Sequence, residues 1–258
     1  MKTKINTVQK NINLREFISS KLRQIYCTIL FNWILHIKSK QIAVTEKTAI
    51  VFAPHQDDET FGCGGMIAIK RAKKVPVNVV FLTDGKRSIP EWIKPEEIIK
   101  IRQEEALTAL NILGVAASAT HFLGHGDATL TQLSHEERRL IITQLSELLK
   151  AYKPEEIYLP HRKDRHLDHE ATYNLVKDAI ALSNLNVEIF QYPVWILWQN
   201  PLSSNLKLQE ISGSYCISIH TVQDQKKQAI ASYKSQITTL PPGFLTRFLS
   251  PYEIFIKS

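Results

Sequence analysis

From residue 48 to residue 195 the chain alternates short apolar runs with amphipathic stretches, and that alternation leaves few folds open. The runs "TAIVFA", "VPVNVVFLT", "ATHFLG", "EEIYLP" and "NVEIFQYPVW" are rich in β-branched and aromatic residues and read as strands. The stretches 60–73, 94–113, 134–150 and 168–182 repeat their apolar residues at helical spacing. Gly114 gives the second of these a stop signal, and Ser134 with Glu137 opens the third as a capping box. Strands joined through helices lie parallel, and the helices cover both faces of the sheet. The expected architecture is therefore α/β, a Rossmann-like three-layer sandwich with a mostly parallel sheet. Its functional site is expected at the C-terminal ends of the strands. No internal repeat or low-complexity linker interrupts the pattern.

The loops at those strand ends are "PHQDDE", "TDGKR", "GHGDA" and "PHRKDRHLDHE". All are polar and rich in His or Asp, although nothing in the strand pattern requires it. Of the nine histidines, His55, His121, His125, His161, His166 and His169 fall in or beside them. His36, His135 and His220 lie elsewhere. His55 and Asp58 are three residues apart in a turn. His166 and His169 repeat that spacing at a helix start, where i and i+3 share a face. A His, an Asp and a His together leave one position of a zinc ion open, the catalytic arrangement. Imidazole nitrogens favour zinc over the all-oxygen sets that suit Mg or Ca. Asp57, beside Asp58, is then placed to take a proton from a water on the metal, whose pKa falls to roughly 7. Each piece has an ordinary reading by itself, since paired aspartates are usually helix caps or solvated loop charges. Two such loops on one sheet edge point to a metal site.

"APHQDDE" resembles the (A/P)HPDDE signature of the PIG-L/LmbE-like N-acetylglucosaminyl deacetylases, and "RHLDH" resembles their second motif, HxDH. "LTDGKR", "IRQEEALTALNILG", "FLGHGDATL" and "KKQAIASYKSQ" follow the same family pattern in order, so the resemblance runs from about residue 48 to residue 236. It implies zinc held by His55, Asp58 and His169. It implies Asp57 as general base and later as the acid for the leaving amine. It also implies His166 steadying the oxyanion and Asp168 orienting a histidine. The implied reaction releases acetate from an N-acetylglucosamine unit and leaves a free amine. Gln56 stands where the family usually has proline, which loosens the loop but removes no ligand.

Other residues are read with their alternatives. Asp127 is a sugar-hydroxyl ligand or a turn aspartate, and Arg87 a substrate contact or an exposed loop arginine. Arg102 and Glu105 are expected to pair within their helix, with Arg102 reaching the site edge as the alternative. Gly62, Gly64 and Gly65 read as room for close helix–strand packing, and Cys63 as a buried small residue. Tyr192, Trp195 and Trp198 supply a sugar platform, an apolar rim or core. Three widely spaced cysteines form neither a disulfide framework nor a zinc ribbon.

The net charge is +7. It fits a basic soluble protein, or one that meets an anionic membrane or a phosphate-bearing substrate. No nucleic-acid motif is present and no such partner is expected. Residues 1–47 read as a tail plus an amphipathic helix, and 48–258 as the deacetylase-like domain. The helix carries Phe17, Leu22, Ile25, Ile29, Leu30, Trp33 and Ile37 at roughly helical spacing. It packs on the domain or lies on a membrane surface. It is too broken to span one and lacks a signal-peptide cleavage site. The first dozen residues are expected to be disordered. Localisation is read as cytoplasmic, with peripheral contact at the inner face of the membrane. The segment after 236 is a lid, an edge strand or a docking segment. The favoured partner is an N-acetylated amino sugar, lipid-linked or in a glycoconjugate. The alternatives are a metal-dependent amidase on another small amide, or a non-catalytic sugar- or lipid-binding module. The sequence indicates no oligomeric state.

Overall fold

The computed structural model describes residues 14–199 and 207–258; the disorder expected of the first dozen residues lies outside them. The chain opens with helix α1 (Leu14–Trp33), which continues through a wider π turn, and strand β1 (Lys40–Ile42). Strand β2 (Ala49–Ala53), helix α2 (Asp58–Ala72), β3 (Val77–Thr83), α3 (Ile98–Ile112) and β4 (Thr120–His125) follow. Next come α4 (His135–Tyr152), β5 (Glu156–Pro160), α5 (Leu167–Ser183) and β6 (Glu188–Tyr192). Strand β7 (Ser214–Ser218), helices α6 (Gln223–Ala231) and α7 (Lys234–Ile237), and strand β8 (Tyr252–Lys257) complete it.

The eight strands form one sheet in the order β1-β7-β8-β6-β5-β2-β3-β4. All neighbours are parallel except β8, which runs antiparallel to β6 and β7. Successive side chains of the central strands go to opposite faces. Val51 and Ala53 of β2 join Phe81 of β3 and Phe61 of α2 in one core, with α3 and α6. Ile50 and Phe52 join Val80, Leu145 and Leu175 in the other, under α4 and α5. This is the three-layer arrangement the alternation calls for.

Several boundaries differ from the sequence pattern. Helix α3 starts at Ile98 rather than 94, because Pro95 pushes the residue before it out of helical conformation. Strand β6 stops at Tyr192, since Pro193 has no N–H to give a ladder. The capping box at Ser134 and Glu137 is formed. The C-terminal segment does not supply an edge strand; its β8 is an inner strand between β6 and β7. Strand β1, from the segment read as tail and helix, is the edge strand beside β7. Helix α1 packs through Cys27 and Phe31, and the turn after it through Ile34 and Leu35, on Ile196, Leu197 and Ile254. No helix among the described residues is long and apolar enough to cross a membrane.

A buried ion pair fixes α2 to the sheet. Lys226 Nζ lies 2.6 Å from Glu253 Oε1 and donates to Phe61 O at 2.8 Å. Glu253 also accepts the N–H groups of Gly65 and Met66 at 2.6 and 2.8 Å. The glycines of α2 permit this approach. A Cβ on Gly62 would sit 2.3 Å from the Tyr192 ring, and one on Gly65 2.4 Å from Ile219. The Tyr192 ring cannot yield easily, because its hydroxyl donates to Phe52 O at 2.7 Å. Gly62→Ala is therefore expected to lower stability by about 1–3 kcal/mol in a denaturant titration. Gly64→Ala, whose new carbon would stop 3.2 Å from the flexible Lys226 chain, should cost less.

Candidate metal centre and substrate cleft

Strand β2 pairs with β3 on one side and β5 on the other. The chain thus turns outward in both directions from the β2–β5 boundary, and a crevice opens above the strand ends there. The loops after β2 and β5 face each other across it. The first carries His55 and Asp57 and leads into Asp58 at the start of α2; the second carries His166 and leads into Asp168 and His169 in the first turn of α5. Asp57 caps α2 with φ 140°, a conformation rare outside glycine. Its carbonyl accepts the N–H groups of Thr60 and Phe61 at 3.1 and 2.9 Å, which holds the turn.

Asp58 Oδ2 is 3.2 Å from both His55 Nδ1 and His169 Nε2. His166 completes the group, with ring centroids 4.8 Å from both His55 and His169. Donor atoms of His55, His166 and His169 gather closely enough to share one ion, as do those of His55, Asp127 and Asp168. His169 is fully buried, its Nε2 3.2 Å from Asp58 Oδ2 and its Nδ1 2.8 Å from Asp164 Oδ2, although neither contact is a well-directed hydrogen bond. Imidazoles and a carboxylate that converge in a buried site make a donor set that suits a metal ion.

The charges agree. Burial works against a charged imidazole, but Asp58 and Asp164 outweigh it and hold His169 up at about 9. Burial likewise opposes charge on His55, and Asp127, Asp168 and Asp58 raise it well above its ordinary value. Asp58 is held far below the carboxylate range despite its burial, by His169 and then His55. Carboxylates outnumber the imidazoles between them, so the cluster favours positive charge, and its donor set suits a metal ion. Asp57 behaves oppositely: burial first, then the Asp58 charge, pushes its carboxyl well up. Burial, with His169 and His55 nearby, pushes His166 down to about 4, so its ring is neutral at pH 7.

Further carboxylates hold the imidazoles. Asp168 Oδ2 lies 3.2 Å from His55 Nε2 and accepts Ala128 N–H at 2.7 Å. Asp127 Oδ1 also faces His55 Nε2, at 3.3 Å, and its Oδ2 accepts the Arg87 backbone N–H at 2.9 Å. Asp164 was not singled out from the sequence. Its Oδ2 is 2.8 Å from His169 Nδ1, and the carboxylate accepts N–H groups from Val194, Trp195 and Ile196 at 2.9–3.0 Å. The available signal was an aspartate two residues before His166 in "DRHLDH".

Gln56 donates to Thr83 O at 2.9 Å, so an amide bond to the end of β3 replaces the rigidity of a proline. Arg102 and Glu105 do not pair with each other as expected. Arg102 donates to Gly85 O and Ser88 O, while Glu105 accepts from the Ser235 N–H and hydroxyl at 2.8 and 2.6 Å.

A cleft of about 190 Å³ opens beside the cluster. Asp57, Asp58 and His166 form its floor, with Arg87, Arg102 and Asp127 on one side. Trp195, Leu240 and Phe244 form an apolar wall, and Trp195 and Phe244 touch with centroids 4.4 Å apart. Of the aromatic candidates, Trp195 reaches the cleft, whereas Tyr192 is core. Three of the six strand-end histidines stay away from it. His121 packs on Tyr152, His125 ends β4, and His161 bonds to the Glu210 carbonyl at 2.8 Å. Cys63 is fully buried, and burial raises its thiol well above the ordinary value. It is not poised as a nucleophile.

Residues 50–180 match the family described as "PIG-L: GlcNAc-PI de-N-acetylase". Among curated proteins, a probable N-acetyl-alpha-D-glucosaminyl L-malate deacetylase 2 of Bacillus anthracis is 31% identical over 140 residues. That alignment covers 53% of this chain and 60% of the relative, so the chain spans about three fifths of that relative's length. The conserved protein TT1542 of Thermus thermophilus superposes with a TM-score of 0.61 and 26% identity, over 81% of this chain and 94% of that one. The N,N'-diacetylchitobiose deacetylase of Pyrococcus horikoshii superposes with a TM-score of 0.62 and 20% identity, over 97% and 94%. This last likeness concerns the fold.

Asp164 is where the geometry makes a sharp demand. Asp164→Asn keeps an acceptor for the 194–196 N–H groups but removes the charge beside His169 Nδ1. Divalent-metal affinity, read by competition with a chelating dye, is expected to fall about 10- to 100-fold while the fold persists.

Proposed function

The chain belongs to the PIG-L family, and on that premise we propose that it is a zinc-dependent hydrolase that removes the N-acetyl group from an N-acetylglucosamine-containing substrate. The observation that carries this reading is one carboxylate, Asp58, shared by two imidazoles from two strand-end loops, with Asp57 beside it in the cleft. His55, Asp58 and His169 would hold the metal. Zinc bound there supplies Lewis acidity toward water and the amide carbonyl.

The chain's own groups do the rest. Asp57, its carboxyl raised by burial and by Asp58, is basic enough to take the proton of the attacking water. As the water oxygen bonds to the acetyl carbon, the neutral His166 ring donates its N–H to the oxygen that gains charge. The carbon–nitrogen bond then breaks, and Asp57 returns its proton to the departing nitrogen. Acetate and a free amine result. Asp168 and Asp164 keep the His55 and His169 rings in place throughout. Arg87 and Asp127 flank the entrance and are the first candidates for sugar hydroxyls, although Asp127 already faces His55. The cleft is smaller than the roughly 300–1,000 Å³ of a pocket that encloses a whole ligand. It suits the amide and its ring, with the remainder of the substrate outside.

Acetate release is the test, measured on a panel of N-acetylglucosaminyl compounds with chelator-treated protein and with zinc returned. Release that stops on chelation and resumes with zinc is expected. Asp57→Asn should keep stoichiometric zinc and lose about 10²- to 10⁴-fold in turnover. Persistent activity in that variant removes Asp57 as the base. Stoichiometric zinc with no release from any compound would turn the assignment toward another amide.

A further inference from the structure

Helix α1 shows two faces. Cys27 and Phe31 are buried against the domain, and the Cys27 thiol meets the Gln199 N–H at 3.3 Å. On the opposite side Ile18, Leu22, Ile25 and Ile29 are 49%, 52%, 56% and 63% exposed. At 100° per residue these four lie within about 60° of one another. Ile37, within the π turn that follows, continues the exposed set at 68%. Four aliphatic side chains aligned in water along one helix are costly and need a cover.

Charge around the stripe selects the cover. Lys21, Lys38 and Lys40 are exposed beside it, and no aspartate or glutamate occurs between residues 18 and 45. Lys38 lies over the half-buried Trp33 ring at 5.1 Å, an aromatic and a cation together at the end of the helix. A second copy of this chain would set like charges against one another along the seam. An anionic lipid surface offers acyl chains to the stripe and phosphates to the lysines. Domain packing takes one face of the helix and leaves the other for the contact inferred below.

The helix also adjoins the cleft. Gly243, with φ +81°, is so close to Gln24 that a Cβ there would lie 2.5 Å from its side chain. The next residue, Phe244, lines the cleft. On the other side α1 rests on Ile196 and Leu197, which follow Trp195 of the same wall.

We infer that α1 docks in the plane of an anionic membrane through Ile18, Leu22, Ile25 and Ile29, and so holds the cleft next to substrate carried in that membrane. The docking stands by itself, whereas the lipid-borne substrate rests on the deacetylase reading. The full chain is to be floated with phosphatidylcholine vesicles containing about one third phosphatidylglycerol. Co-flotation is expected, and it should drop about tenfold with pure phosphatidylcholine or with Ile25→Glu/Ile29→Glu. That double variant changes exposed positions only, so its melting temperature and its acetate release from a soluble N-acetylglucosamine compound should match the parent. Its release from a vesicle-embedded N-acetylglucosaminyl lipid should fall. Failure of the parent to float, or equal flotation of the variant, overturns the docking. So does light scattering that reveals a dimer dissociated by the two substitutions without flotation. Flotation without release from either compound leaves the docking standing and overturns the deacetylase reading instead.

Discussion

One carboxylate between two imidazoles governs this molecule. Asp58 Oδ2 stands 3.2 Å from His55 Nδ1 and 3.2 Å from His169 Nε2, and both Asp58 and His169 are buried. Bringing them together requires β2 and β5 to be parallel neighbours, so that both strands end at the same edge. Asp127 and Asp168 face the same His55 nitrogen, and Asp164 backs His169. Buried carboxylates without matching positive charge would cost several kcal/mol each. A crevice with this donor set suits an ion.

The precision of the cluster comes from what lies behind it. Asp164 ties His169 to the loop that carries Trp195, and Asp168 ties His55 to the loop after β4. Gln56 anchors the first motif to β3, and Lys226 with Glu253 anchors the helix that follows to β8. Each link crosses a long stretch of chain, so loops around the site are as constrained as the strands. Support of this kind keeps reactive groups within the few tenths of an ångström that catalysis needs.

Floor and wall have different origins. His55, Asp57, Asp58 and His166 lie within the span 50–180 that matches the family, and they line the cleft. Trp195, Leu240 and Phe244 of the apolar wall lie outside that span, as does helix α1, which packs behind the wall on Ile196 and Leu197.

The amino-acid sequence alone determined the layers and the chemistry. Strand and helix periods are local, so "TAIVFA" through "NVEIFQYPVW" announced a parallel core, and two motifs at strand ends announced the ligand-type residues. Strand-end position alone left six histidines open; the motif resemblance pointed to His55, His166 and His169, and the tertiary structure brings those three together and sends His121, His125 and His161 elsewhere. It alone revealed Asp164, whose partners are a helix residue five positions on and a loop thirty positions away. It alone turned "YEIFIK" into an inner strand and left one apolar face of α1 in the open. Antiparallel pairing with distant strands and the exposure of one helix face depend on what packs against them, and no local pattern encodes that.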